Sequence, residues 1–175
     1  LQAVTDDPAT ADAAIAGINA ADTNGKTFSL SAGQDIITGT GYNDVFKANV
    51  VQNDGGAQVN SLGSGDEING GAGIDTLNAK ITSGVFAGGS FSMPIQPEIV
   101  NVENINLQAV IASIGGGNYY SSGSGNNDVV YFNAKDVIGA QKIASNYSDA
   151  SLVIQNLTSQ GLNHVSDMTI GMEYT

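Results

Sequence analysis

At 175 residues the chain has room for one domain with a real core or for a piece of a longer array, and its 23 Gly with no Cys and no Trp favour short strands and turns over long helices. Seventeen Asp and Glu against five Lys give a net charge of −12, which argues against a nucleic-acid partner and an anionic membrane surface and makes cations the natural partners. The lack of Cys excludes disulfides and thiolate metal sites and fits an extracellular bacterial protein, and no apolar run of about 18 residues is present to cross a bilayer.

The first predicted element is a short α-helix within 1–25, a cap or linker from a preceding module. Asp7 can cap it, Pro8 suits its first position, and Asn24-Gly25 stops it; Ala14, Ile15 and Ile18 give it a modest apolar side. With no initiator Met or leader before Leu1, and with "MTIGMEYT" reading as a strand, the sequence is expected to be a segment of a longer protein.

From Phe28 the apolar period becomes nine. Phe28, Ile37 and Phe46 form one series, and Val59, Ile68, Leu77 and Phe86 form a second, after an insertion around "VVQNDGG". In both series an Asp stands two residues before the apolar residue: Asp35, Asp44, Asp66 and Asp75. The unit Asp-x-apolar fits a strand of about three residues plus a turn of about six. The apolar residue then enters the core, consecutive units fall on opposite sheets, and turns eighteen residues apart stack. The prediction is a mainly β chain, a parallel β-solenoid or β-roll, with its repeat coils over 26–92.

A β-rich continuation is expected over 93–175. Pro94 and Pro97 forbid a central strand, whereas "IVNVENINLQAV" alternates, with Ile105, Leu107 and Ala109 on one face. A Gly/Ser loop follows near 113–127, and Ile138, Ile154 and Ile170, sixteen apart, read as rungs of a wider coil.

Chemistry concentrates in the turns. "GGAGIDTLN", from Gly70 to Asn78, matches G-G-x-G-x-D-x-apolar-x without a mismatch, giving Gly70, Gly71, Gly73 and Asp75 as candidate metal residues beside Asp66. Ca²⁺ needs six to eight oxygens, more than the side chains of one short loop supply, and glycines let backbone carbonyls turn inward without a Cβ in the way. The alternative is a metal-free turn in which Asp75 caps its own backbone. "GTGYNDVFK" keeps Gly39, Gly41 and Asp44 but has Tyr42 where a glycine belongs, and Asp35 precedes it by one unit. "GSGNNDVVYF" places Asp128 similarly, without a nine-residue neighbour.

Catalytic patterns are missing. His164 is the only histidine, there is no H-E-x-x-H or G-x-S-x-G, and no "GK[ST]" follows the glycines. Asp66 and Glu67 are adjacent on an extended chain and so point apart, which defeats a glycosidase pair. Tyr119 and Tyr120 could stack on a sugar but read equally as local packing.

The runs "DIITGTGYNDVF", "GDEINGGAGIDTLN" and "PEIVNVENINLQA" resemble modules of Gram-negative surface-layer (S-layer) proteins and of large type I-secreted adhesins with RTX-type calcium repeats. "VIGAQKIASNYSDASLVIQNLTS" is similar in rhythm to the coils that follow such repeats, so the resemblance spans about Thr27 to Thr175. It implies a calcium-stabilised β-solenoid on the bacterial cell surface, exported through a type I machine. Carried over by position, Gly70, Gly71, Gly73 and Asp75 match the motif fully, and Gly39, Gly41 and Asp44 match in part. The leading expectation is a non-enzymatic surface-array tile that self-associates. The alternatives are an adhesin module that binds a cell-surface polysaccharide or other glycan, and a polysaccharide-acting β-helix enzyme.

Overall fold

The computed structural model describes residues 24–82, 94–111, 129–157 and 169–173. All regular elements among them are strands: β1 (Thr27–Ser29), β2 (Ile36–Thr38), β3 (Val45–Ala48), β4 (Val50–Gln52), β5 (Gln58–Asn60), β6 (Glu67–Asn69), β7 (Thr76–Thr82), β8 (Glu98–Val100), β9 (Asn104–Val110), β10 (Val129–Asn133), β11 (Val137–Ile138), β12 (Lys142–Asn146), β13 (Ser151–Gln155) and β14 (Thr169–Glu173). The expected N-terminal helix, Phe86 and the Gly/Ser loop lie outside the described residues.

Two parallel sheets organise the chain. One has the order β1-β3-β7-β9-β12-β14 and the other β11-β8-β6-β2, so from β1 to β3 and again from β6 to β9 successive strands alternate between them. The nine-residue spacing explains the alternation. A three-residue strand and a six-residue turn bring the next apolar residue to the opposite sheet, and Phe28 comes to lie beside Phe46, eighteen residues later. Their rings stack with centroids 5.2 Å apart.

The next step is longer, because Ile37 pairs with Ile68 and Phe46 with Leu77, each thirty-one residues on. The difference is an antiparallel hairpin, β4 with β5, whose tip carries Gly56 at φ 79°. Val59 therefore belongs to this hairpin and not to the nine-residue core series. Beyond it, β7 pairs with β9 over seven residues and β6 with β8, so both sheets run without interruption past position 93.

Inward side chains of both sheets form one hydrophobic cluster that includes Phe46, Ile68, Leu77, Ile99, Ile105 and Ile143. Ile105, Leu107 and Ala109 share a buried face as their alternation predicts, although "IVNVENINLQAV" is divided between β8 and β9 in different sheets. Ile138, Ile154 and Ile170 are not rungs of one coil. They lie in β11, β13 and β14, which belong to three different sheets; Ile170 pairs with Ile143 and Ile154 with Phe132. A shared sixteen-residue spacing brings residues together only if every intervening turn has the same length.

Candidate functional site

The residue just before each of the first four strands in the six-stranded sheet occupies a special position. Lys26, Asp44, Asp75 and Glu103 precede β1, β3, β7 and β9, and the strand register stacks them in a column. Each backbone N–H donates to the carboxylate of the next: Lys26 to Asp44 Oδ1, Asp44 to Asp75 Oδ1 at 2.6 Å, and Asp75 to Glu103 Oε2 at 2.7 Å. The carbonyls of Lys26, Asp44 and Asp75 in turn accept the N–H groups of Val45, Thr76 and Asn104 at 2.8–3.0 Å. The four-stranded sheet has a shorter version. Asp35 N–H donates to Asp66 Oδ1 at 2.9 Å, and Glu67 and Glu98 N–H donate to the carbonyls of Asp35 and Asp66.

Asp44, Asp66 and Asp75 are all buried. Asp44 has a complete set of donors, since Thr40 adds its N–H and hydroxyl to the Lys26 N–H. Burial raises its pKa, but the bonds from Lys26 and Thr40 outweigh that and hold the carboxyl below its ordinary value. Asp66 takes the N–H of Gly63 at 2.7 Å as well as that of Asp35, yet burial and then the neighbouring Asp35 charge leave it raised.

Asp75 differs from both. Its Oδ1 accepts the Asp44 N–H, while its Oδ2 is buried with no hydrogen-bond partner. Burial first, then the charges of Glu103 and Asp44, push its pKa up. A buried carboxylate oxygen without a partner costs on the order of 1–3 kcal/mol or more and calls for a compensating group.

The glycines allow the turns to touch. A Cβ on Gly70 would stand 1.9 Å from the carbonyl oxygen of Asn101 and 2.4 Å from Asp75 Oδ2. One on Gly39 would stand 2.1 Å from the carbonyl oxygen of Gly70. Gly71 (φ 97°) and Gly73 (φ 129°) lie in the left-handed region against Thr40 and Tyr42 of the preceding turn, and a Cβ on Gly41 would meet nothing within 4 Å. Tyr42 thus takes an ordinary turn conformation and forms part of the floor on which Gly73 sits.

The structure stacks Gly39, Asp44, Gly70, Gly71, Gly73 and Asp75 together across two adjacent turns. Asp35 and Asp66 occupy the other sheet's turns, where Asp35 caps its own turn through Ser31 N–H at 2.8 Å. Asp128, His164, Tyr119 and Tyr120 lie outside the described residues. Among the described residues no three Asp, Glu or His side chains form a metal-holding group; Asp75 Oδ2 is the buried carboxylate oxygen without a partner, and the Asn101 carbonyl oxygen shares with it the space beside Gly70. Carboxylate and carbonyl oxygens are the donor types a hard cation takes, and these two supply part of the six to eight that Ca²⁺ needs.

Sequence reasoning missed Glu103, Asn101 and Thr40. A pattern widened from Asp-x-apolar to acid-x-apolar finds Glu103-Asn104-Ile105, whose register continues Asp75-Thr76-Leu77. Asn101 follows β8 as Gly70 follows β6, and its φ of 54° is one that Asn tolerates. Comparison with protein-family models, curated proteins and solved structures gives no match.

Proposed function

We propose that the chain is a structural, non-enzymatic segment of a calcium-stabilised β-solenoid at the bacterial cell surface, a tile of a surface layer. The observation that carries this reading is the buried, unpartnered Oδ2 of Asp75, set in a glycine turn whose closest neighbours are backbone carbonyls and further carboxylates. Bound calcium would supply positive charge there. Asp75 Oδ2 and the Asn101 carbonyl, which meet beside Gly70, would contribute to holding it, and its charge would offset the repulsion that Glu103 and Asp44 exert on Asp75.

Two further features support a structural role. Strands alternate between two parallel sheets with stacked turns, which is the pattern of a coil. Polar groups in the turns are engaged in holding one turn on the next. Export in an unfolded state and folding outside, where calcium is plentiful, follows from the same linkage.

Circular dichroism and thermal melting in calcium at about 10⁻⁴–10⁻³ M and in chelator test this reading. Calcium is expected to strengthen the sheet signal and raise the melting temperature. Identical spectra and melting curves in the two conditions would overturn it.

A further inference from the structure

The four-stranded sheet and strands β1, β3, β7, β9 and β12 of the six-stranded sheet differ in the charge of their outward residues. On the four-stranded sheet, Glu67 and Glu98 are exposed and directly opposite one another on β6 and β8, and Asp136, the residue before β11, continues the row. No lysine occupies an outward position of β2, β6, β8 or β11. The six-stranded sheet is the reverse. The outward positions of β1, β3, β7, β9 and β12 hold no carboxylate, and two of the chain's five lysines, Lys47 and Lys80, stand exposed there among Asn78, Asn106 and Gln108. Asn106 Nδ2 donates to Asn78 Oδ1 at 2.9 Å, linking the side chains of neighbouring strands on this face.

In a chain of net charge −12, five neighbouring strands, β1 to β12 of this sheet, with no carboxylate at an outward position are a specific feature; Glu173, in register with Asn146, stands on the sixth strand, β14. The acidic row has a cost of its own, because like charges directly opposite on neighbouring strands repel. A cationic surface laid over the row would relieve that repulsion.

We infer that the lysine-bearing face of the six-stranded sheet docks on the Glu67–Glu98 row of a second copy of this chain. This inference rests on the proposed role as a self-associating structural segment and names the surfaces involved. Charge complementarity selects the partner; Lys47 and Lys80 stand on neighbouring strands, offset by two residues, and Glu67 and Glu98 on neighbouring strands directly opposite, both at a strand spacing of about 4.8 Å. The contact joins two different faces, so each added copy leaves one of each kind open, and the assembly grows as a filament or closes into a ring according to the rotation between copies.

Sedimentation in calcium, at low and high salt, tests the inference with two charge-reversed variants, K47E/K80E and E67K/E98K, each checked for fold by circular dichroism. Wild type is expected to form concentration-dependent oligomers that weaken with salt. Each variant alone should associate at least about tenfold more weakly, and an equimolar mixture should recover assembly, because each altered face then meets its complement. Folded wild type that stays monomeric, oligomers that ignore both reversals, or a mixture that fails to recover would overturn the inference. So would monomers that instead bind an anionic polysaccharide such as alginate through Lys47 and Lys80. A chain that folds without calcium but assembles through these faces refutes only the calcium reading; one that needs calcium to fold yet stays monomeric refutes only the docking.

Discussion

The backbone N–H of Asp44 donates to Oδ1 of Asp75 at 2.6 Å, across thirty-one residues of chain and from one turn to the next. The same bond recurs between Asp75 and Glu103. Each carboxylate therefore holds the preceding turn in place and cannot be understood from its own turn alone.

Replacing Asp75 separates these roles. Asp75→Ala leaves the buried Asp44 N–H without an acceptor and is expected to destabilise the fold by about 1–3 kcal/mol in urea titrations, with or without calcium. Asp75→Asn keeps an acceptor and removes the charge facing Glu103 and Asp44. In chelator it should be neutral or stabilising, and in calcium it should be less stable than wild type. That change of sign distinguishes a cation ligand from a turn cap.

The turn glycines differ sharply in what they tolerate. Gly70→Ala and Gly71→Ala place a Cβ 1.9 Å and 2.1 Å from carbonyl oxygens of adjacent turns, which neither backbone can yield without moving. Losses above about 2 kcal/mol are expected for each by chemical denaturation. Gly41→Ala points into open space and should change stability by no more than about 0.5 kcal/mol.

Acidity provides an independent handle. The folded-state pKa values of Asp66 and Asp75 are raised by burial, so between the unfolded value of 3.8 and the raised folded values the native state binds more protons than the unfolded chain. The contribution of these two groups to stability thus falls as pH rises through that window. Asp44 acts oppositely: its lowered value contributes stability above the unfolded pKa that is lost as pH falls through the folded one. In chelator, acidifying from neutral pH through the raised folded values toward the unfolded value of 3.8 should raise the melting temperature, whereas in calcium protons compete with the ion and the gain should vanish or reverse.

The core prediction contrasts two positions of the nine-residue pattern. Phe46 is fully buried and stacked on Phe28, and Phe46→Ala should cost about 3–5 kcal/mol. Val59 shares the spacing but sits half-buried in the hairpin, and Val59→Ala should cost markedly less in the same denaturation experiment.

How much of this was legible in the sequence follows from what a repeat encodes. The nine-residue step from Phe28 to Phe46, and the Asp two residues before each apolar residue, gave the alternation between sheets and the stacking of turns. Both depend only on local spacing. Val59 was misplaced because a hairpin insertion of thirteen residues mimics the repeat through one apolar residue in phase; its Asn53-Asp54-Gly55-Gly56 tip was the turn signal against that reading. Ile138, Ile154 and Ile170 failed for the same reason in reverse. Glu103 escaped notice because it continues the Asp column with a different acid after a step of twenty-eight residues, which only the pairing of β7 with β9 makes visible.

Calcium titration calorimetry of the wild type beside Asp75→Asn tests the central claim most directly. The account predicts saturable calcium binding by the wild type and one site fewer in the variant, together with loss of the stabilisation that site supplies, about 2.7 kcal/mol at a hundred times its dissociation constant. An unchanged number of sites, or no binding by the folded wild type, would contradict it.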